Sequence, residues 1–184
     1  MNKAFFSVCG LAAGAAVLLF AVRPATAQTF TVTSNNIQPG AMMSTAQVYN
    51  AHGCTGGNIS PQLSWSNAPR GTRSFAVICH DPDAPREHGF YHWLIINIPA
   101  DVSSVAAGGK IVGALETVTS FGKNAYGGPC PPVNHGPHRY NFTVYALDVE
   151  KLELAPQTDP LKVERLVKAH ALAQTTLTRL YERR

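Results

Sequence analysis

The chain has 184 residues, 15 Lys and Arg against 11 Asp and Glu for a formal charge of +4, and 45% hydrophobic residues. That length suits one domain with a sizeable core. The weak positive balance excludes the dense basic face with which proteins neutralise nucleic-acid phosphates.

Residues 1–27 read as a cleaved signal peptide, because Lys3 precedes an apolar run from Val8 to Val22 that ends in the small-x-small site Ala25-Thr26-Ala27. A membrane anchor is the other reading, but the run falls short of the roughly 20 residues that a bilayer span needs. The expected product is periplasmic or secreted, has no transmembrane span, and forms a single domain over residues 28–184. Without Lys3 and Arg23 the basic count drops to 13 against 11 acids, a charge of only +2.

Short β-rich segments bounded by Gly, Pro and Asn follow in order: Thr29 to Thr33, Gln62 to Trp65, Ser74 to Cys79, His92 to Ile98 and Tyr140 to Leu147. The domain is therefore expected to be mostly β. Trp93 to Ile98 is almost continuously apolar, as in a central strand buried on both faces, whereas Tyr140 to Leu147 alternates and predicts one wetter face. After Pro160, Val163, Leu166, Val167, His170, Ala173, Leu177 and Leu180 recur at helical spacing. This predicts one long C-terminal helix, with Asp159 as N-cap and Arg179, Arg183 and Arg184 at the negative end of its dipole.

Cys54, Cys79 and Cys130 lie beyond the signal peptide, and export implies an oxidising compartment. Cys79 ends an apolar stretch and reads as a small core residue. Cys54 and Cys130 sit in Gly-rich loops and are expected to pair, against the alternative of three free thiols.

No G-x-S-x-G elbow, H-E-x-x-H helix, Walker-type loop or C-x-x-C pair is present. Instead, Asp81-Pro-Asp83-Ala-Pro85 follows a strand directly, so two prolines stiffen a loop carrying two carboxylates. An ordinary turn with solvated acids fits the pentapeptide equally well. His92 and His138 each stand at the start of a β-type run, where two imidazoles and an acid loop can meet at one sheet rim and bind an anion or a metal. Between them, Tyr126-Gly-Gly128-Pro-Cys130-Pro131-Pro offers glycine N–H groups as anion donors and prolines that fix the path. The stretch from Val133 to Gly136 reads as a surface connection.

In this order and spacing, Asp81-Pro-Asp-Ala-Pro, His92-Trp93, Tyr126-Gly-Gly-Pro-Cys-Pro-Pro and His138-Arg-Tyr140 resemble the bacterial branch of the phosphatidylethanolamine-binding (Raf kinase inhibitor-like) family. The resemblance extends to Asn58-Ile-Ser-Pro-Gln-Leu-Ser-Trp65 upstream and to Ala-Leu-Asp148 and His170-Ala-Leu-Ala downstream. It implies packed antiparallel β-sheets with a C-terminal α-helix, and a shallow pocket for phosphate, phosphoryl head groups or acetate. The pocket residues it implies are Asp81, His92, His138 and Tyr140, with Asp83, Pro85, Tyr126, Gly128 and Pro131 shaping the rim.

The expected function is non-catalytic binding of a small anionic or phosphorylated ligand, with both histidines donating to the anion and no cofactor. A weak hydrolase using Asp81 and a histidine base, an inhibitor or interaction protein with an unknown protein partner, and adventitious zinc or copper capture by the histidines are the alternatives.

Overall fold

The computed structural model describes residue 1, residues 28–38 and residues 41–184, so residues 2–27 of the expected signal peptide lie outside the described residues. Among the described residues no helix is long and apolar enough to cross a membrane. A three-stranded antiparallel sheet joins β1 (Thr31–Thr33), β2 (Leu63–Ser66) and β5 (Ser104–Val105) in the order β1-β2-β5. It faces a five-stranded antiparallel sheet made of β3 (Ser74–Asp81), β4 (Phe90–Pro99), β6 (Leu115–Glu116), β7 (His138–Leu147) and β8 (Ala171–Tyr181). The order there is β6-β4-β3-β7-β8. The mostly β architecture of packed antiparallel sheets is thus the observed one, and α1 (Pro160–Ala169) is the sole α-helix among the described residues.

Strand parity divides the five-stranded sheet between two cores. Phe75, Val77, Cys79, Trp93, Ile95, Phe142 and Val144 turn toward the small sheet and pack with Val32, Leu63, Trp65 and Val105. Ala76, Ile78, Leu94, Ile96, Tyr145 and Leu147 turn the other way, against Val163 and Val167 of α1. Burial on both faces explains the apolar run of β4. It also overrides the wetter face expected of β7, because α1 covers Tyr145 and a Thr143–Thr176 hydroxyl pair at 2.9 Å links the strand to β8.

The C-terminal segment departs from expectation. Asp159 caps α1 as predicted, its Oδ1 accepting from the N–H groups of Leu161 and Lys162, and Pro160 opens the helix. The helix stops at Ala169, however, and Ala171–Tyr181 is an 11-residue strand paired along β7. Its inward residues Ala171, Ala173, Thr175, Leu177, Arg179 and Tyr181 follow period two, and the Thr175-Thr176-Leu-Thr178 run suits a pleated surface better than a helix. Ala173 and Leu177, four residues apart, fit both periods, which is why the helical spacing seemed to continue, whereas Leu180 faces outward. Only Lys168 occupies the basic position of the last helical turn, so the three arginines do not serve the dipole.

Cys54 and Cys130 form a disulfide with Cα atoms 6.0 Å apart, and Cys79 is free and buried. The bridge closes a loop of 76 residues, which is worth up to about 4 kcal/mol in the chain-entropy account. Dithiothreitol should therefore lower the melting temperature by several degrees while leaving the β-type circular dichroism of the folded chain intact. An unchanged melting temperature after verified reduction would show that the bridge adds nothing to stability.

Candidate functional site

Asp81 ends β3, His138 begins the neighbouring strand β7, and Tyr140 follows two residues later. The β3–β7 register runs to His80↔Asn141, so one further step brings Asp81 level with Tyr140. Asp81 shares the parity of Cys79, and His138 and Tyr140 share that of Phe142, so all three project into the end of the layer between the sheets. His92 arrives differently. Cys79 pairs with Trp93, but the next residue, His80, pairs with Tyr91, which leaves His92 as the extra residue of a β-bulge. The bulge lets Tyr91 face α1 and Trp93 face the opposite core, and it re-aims His92 toward the other three.

The four side chains line one cavity of about 420 Å³, walled by Ala84, Pro85, Phe90, Phe121, Pro131 and Pro132. Asp81 is 2% exposed and fully answered by donors. Its Oδ1 accepts from the N–H groups of Asp83 at 2.9 Å and Ala84 at 3.1 Å, and its Oδ2 lies 2.7 Å from His138 Nδ1. His138 is equally buried, and its Nε2 lies 2.7 Å from Nδ1 of the exposed His135. A continuous chain of hydrogen bonds thus runs from a buried carboxylate through two imidazoles to solvent.

His92 is held by Gly127 at two points. Gly127 donates its N–H to the His92 carbonyl oxygen at 2.9 Å, and its own carbonyl accepts from His92 Nδ1 at 2.7 Å. A carbonyl cannot donate, so Nδ1 carries the ring proton. Burial pushes the proton affinity of His92 down to about 4 from 6.5, against the smaller opposing pull of the Gly127 carbonyl. The ring is neutral at physiological pH and Nε2 is a bare acceptor. This corrects the expectation that His92 donates to an anion.

Three further expectations are corrected in role. Gly128 offers no N–H to the cavity, since it donates to Asn58 Oδ1 at 2.8 Å. Its glycine identity serves packing, because an added Cβ would stand 1.9 Å from the Gln47 carbonyl oxygen. Tyr126 does not line the cavity; it is buried edge-on against Trp93 and its hydroxyl donates to the Gln47 carbonyl at 3.1 Å. Asp83 also stands outside, where the Arg139 guanidinium binds both its oxygens at 2.7 and 2.9 Å and holds its acidity at about 2. Pro85 and Pro131 line the cavity.

Sequence reasoning passed over Gly127, His135, Arg86 and His52. Arg86 and His52 line the cavity mouth, with the Arg86 guanidinium 4.9 Å over the Phe90 ring. Nothing local marks His135, because its meeting with His138 depends on the loop's return to β7. Arg183 shows the same dependence: its guanidinium donates to the carbonyls of Pro131 and Gly53 at 3.3 and 3.1 Å, on either side of the disulfide. Among the described residues no group of three or more His, Cys, Asp or Glu is placed to hold a metal ion.

Residues 33–182 match the family model described as phosphatidylethanolamine-binding protein. The UPF0098 protein YbcL of Escherichia coli (strain K12) is 40% identical over 173 residues, covering 90% of this chain and 94% of YbcL. A second Escherichia coli protein, YbhB, is 40% identical over 154 residues, covering 80% and 97%. The crystal structure of YbcL, described as a new member of the mammalian PEBP family, superposes with a TM-score of 0.82 over 84% of this chain and 99% of that one, at 40% identity. A homologue from Chlamydia trachomatis gives 0.72 at 32% identity, over 84% and 98%.

Two measurements test this geometry. Unfolded His92 takes up its proton near 6.5 and folded His92 near 4, so its contribution to stability is complete above about 6.5 and is lost as pH falls through that window, by roughly 3 kcal/mol. In NMR titration its ring signals should keep the neutral position down to pH 5, and a midpoint at or above 6 would contradict the assignment. His138→Ala should destabilise the fold by roughly 3–5 kcal/mol in denaturant titration, because it strands the Asp81 carboxylate in a buried site. A fully stable His138→Ala variant would show that the Asp81–His138 pair does not hold the fold.

Proposed function

Because the chain belongs to the phosphatidylethanolamine-binding protein family, we propose that it is an exported binding protein for a small anionic or phosphorylated ligand, held in the cavity over Asp81, His92, His138 and Tyr140. The observation that carries the reading is the buried Asp81–His138 pair at 2.7 Å, which opens on a cavity of head-group size. A carboxylate that already accepts three hydrogen bonds acts by fixing the orientation of His138 at the cavity wall, with His135 on the other ring nitrogen. Arg86 supplies a positive charge at the mouth.

The lining supports binding over covalent chemistry. Cys79 is sealed in the core with its thiol pushed well above the usual range by burial, and Cys130 is spent in the disulfide. Ser120 Oγ accepts the Tyr91 N–H at 2.9 Å and makes no hydrogen bond to an imidazole or carboxylate among the described residues. The disulfide also agrees with an oxidising compartment, and hence with export. A second reading, weak hydrolysis of a phosphorylated ligand, draws on the chain from Asp81 through His138 to His135, since such a relay can take a proton from water at the rim.

Titration calorimetry of residues 28–184 with inorganic phosphate and phosphoethanolamine at pH 7 tests the binding reading. The expected result is saturable heat at millimolar ligand or below for at least one of them, without turnover. No heat from either up to about 10 mM overturns it. Arg86→Ala should weaken binding about two- to fivefold at low salt and less at 0.5 M salt, since an exposed charge acts through a screened field.

A further inference from the structure

The donors and acceptors of the cavity narrow the ligand class beyond phosphorylated molecules in general, on the premise that the anion-binding reading holds. The loops beside the cavity are short of free donors. Gly127 donates to the His92 carbonyl, Gly128 to Asn58, and Asp83 and Ala84 to Asp81. Pro85, Pro131 and Pro132, which line the rim, have no N–H to give. The tautomer fixed by Gly127 makes His92 Nε2 an acceptor, and the buried Asp81 carboxylate adds negative charge in the same place. Against these stand two neutral donors, the hydroxyl of Ser120 toward the rim, whose oxygen accepts the Tyr91 N–H, and the hydroxyl of Tyr140, which is buried with no hydrogen-bond partner among the described residues. The ring of Tyr140 stands edge-on to that of His92 at a centroid distance of 5.1 Å.

We infer that the cavity selects oxyacids that still carry a hydroxyl, such as hydrogen phosphate or the monoanion of a phosphate monoester, over oxyanions stripped of every proton. The P–OH group donates to His92 Nε2, and an unprotonated oxygen of the same phosphorus accepts from Tyr140. A bare oxyanion would instead set a lone pair against the His92 lone pair and leave that buried acceptor unsatisfied. A phosphodiester, having no P–OH, is disfavoured for the same reason. The selected class is therefore free phosphate and monoesters, not the diester of an intact phospholipid.

The experiment compares three probes by calorimetry on residues 28–184: inorganic phosphate, methyl phosphate and sulfate. At pH 8 each is mainly a dianion, and hydrogen phosphate alone keeps a hydroxyl. Asp81, His138, His52 and Arg86 face the same space, but their charge acts alike on three dianions and drops out of the comparison. Phosphate is expected to bind at least about tenfold more tightly than either of the others, as sites built around a ligand hydroxyl reject analogues that lack it. At pH 5 methyl phosphate is a monoanion with one hydroxyl, its second ionisation lying near 6. It should then draw to within about threefold of phosphate while sulfate stays behind. His92 remains an acceptor in both arms, since burial delays its protonation to about pH 4. A phosphate-to-sulfate ratio below tenfold at pH 8, or no relative gain by methyl phosphate at pH 5, overturns the hydroxyl requirement and leaves the anion-binding reading standing. No binding of any probe at either pH removes both.

Discussion

A carboxylate taken out of water has to be answered by donors, and the way Asp81 is answered sets the geometry around it. The N–H groups of Asp83 and Ala84 turn onto one oxygen and draw the Pro-rich loop tightly over the end of β3. The other oxygen holds His138 at the start of β7. Two strands and a loop are thereby locked at one corner of the molecule. Outside that corner, Asp83 takes Arg139 in a two-pronged grip that ties the same loop to the same strand. The inner acid holds the site in shape, and the outer acid holds the loop in place.

A second constraint comes from the segment over residues 45–58, on which the Gly-rich loop rests. Tyr49 donates its N–H to the Pro129 carbonyl, Asn58 accepts from Gly128, and the disulfide joins Cys54 to Cys130. Contact this close leaves no room for a Cβ at Gly128, nor at Gly127, where it would stand 2.3 Å from the Phe121 ring. The glycines permit the approach, and the approach is what brings the Gly127 carbonyl onto His92. A packing requirement in a loop thus fixes the tautomer of a histidine in a neighbouring strand.

These constraints give the cavity an unusual polarity for an anion site. Its buried floor combines an acceptor, a carboxylate and one neutral hydroxyl, and fixed positive charge comes from Arg86 at the mouth. Fixed acceptors of this kind reward a ligand that brings its own proton. The geometry also separates two histidines that look alike in the sequence. His138 has an acid behind it and a second imidazole in front, whereas His92 has a carbonyl behind it and no charge of its own at neutral pH.

Much of this was legible in the residues themselves, because side-chain direction along a strand is a local property. Period two places Asp81 on the face of Cys79, and His138 and Tyr140 on the face of Phe142, and punctuation by Gly and Pro marks where the strands end. The motif stretches led to the family, and the two Gly-rich cysteine loops led to the disulfide. What the residues could not give depends on distant parts of the chain. The bulge that frees His92 exists only as a mismatch between β3 and β4, and the donors of Gly127 and Gly128 are spent on partners 35 and 70 residues away. Ala171 to Tyr181 satisfies a helical and an alternating spacing at once, and pairing along the edge of β7 decided for the strand. Periodicity is written in neighbouring residues; register and hydrogen-bond partners are settled only when the chain folds back on itself.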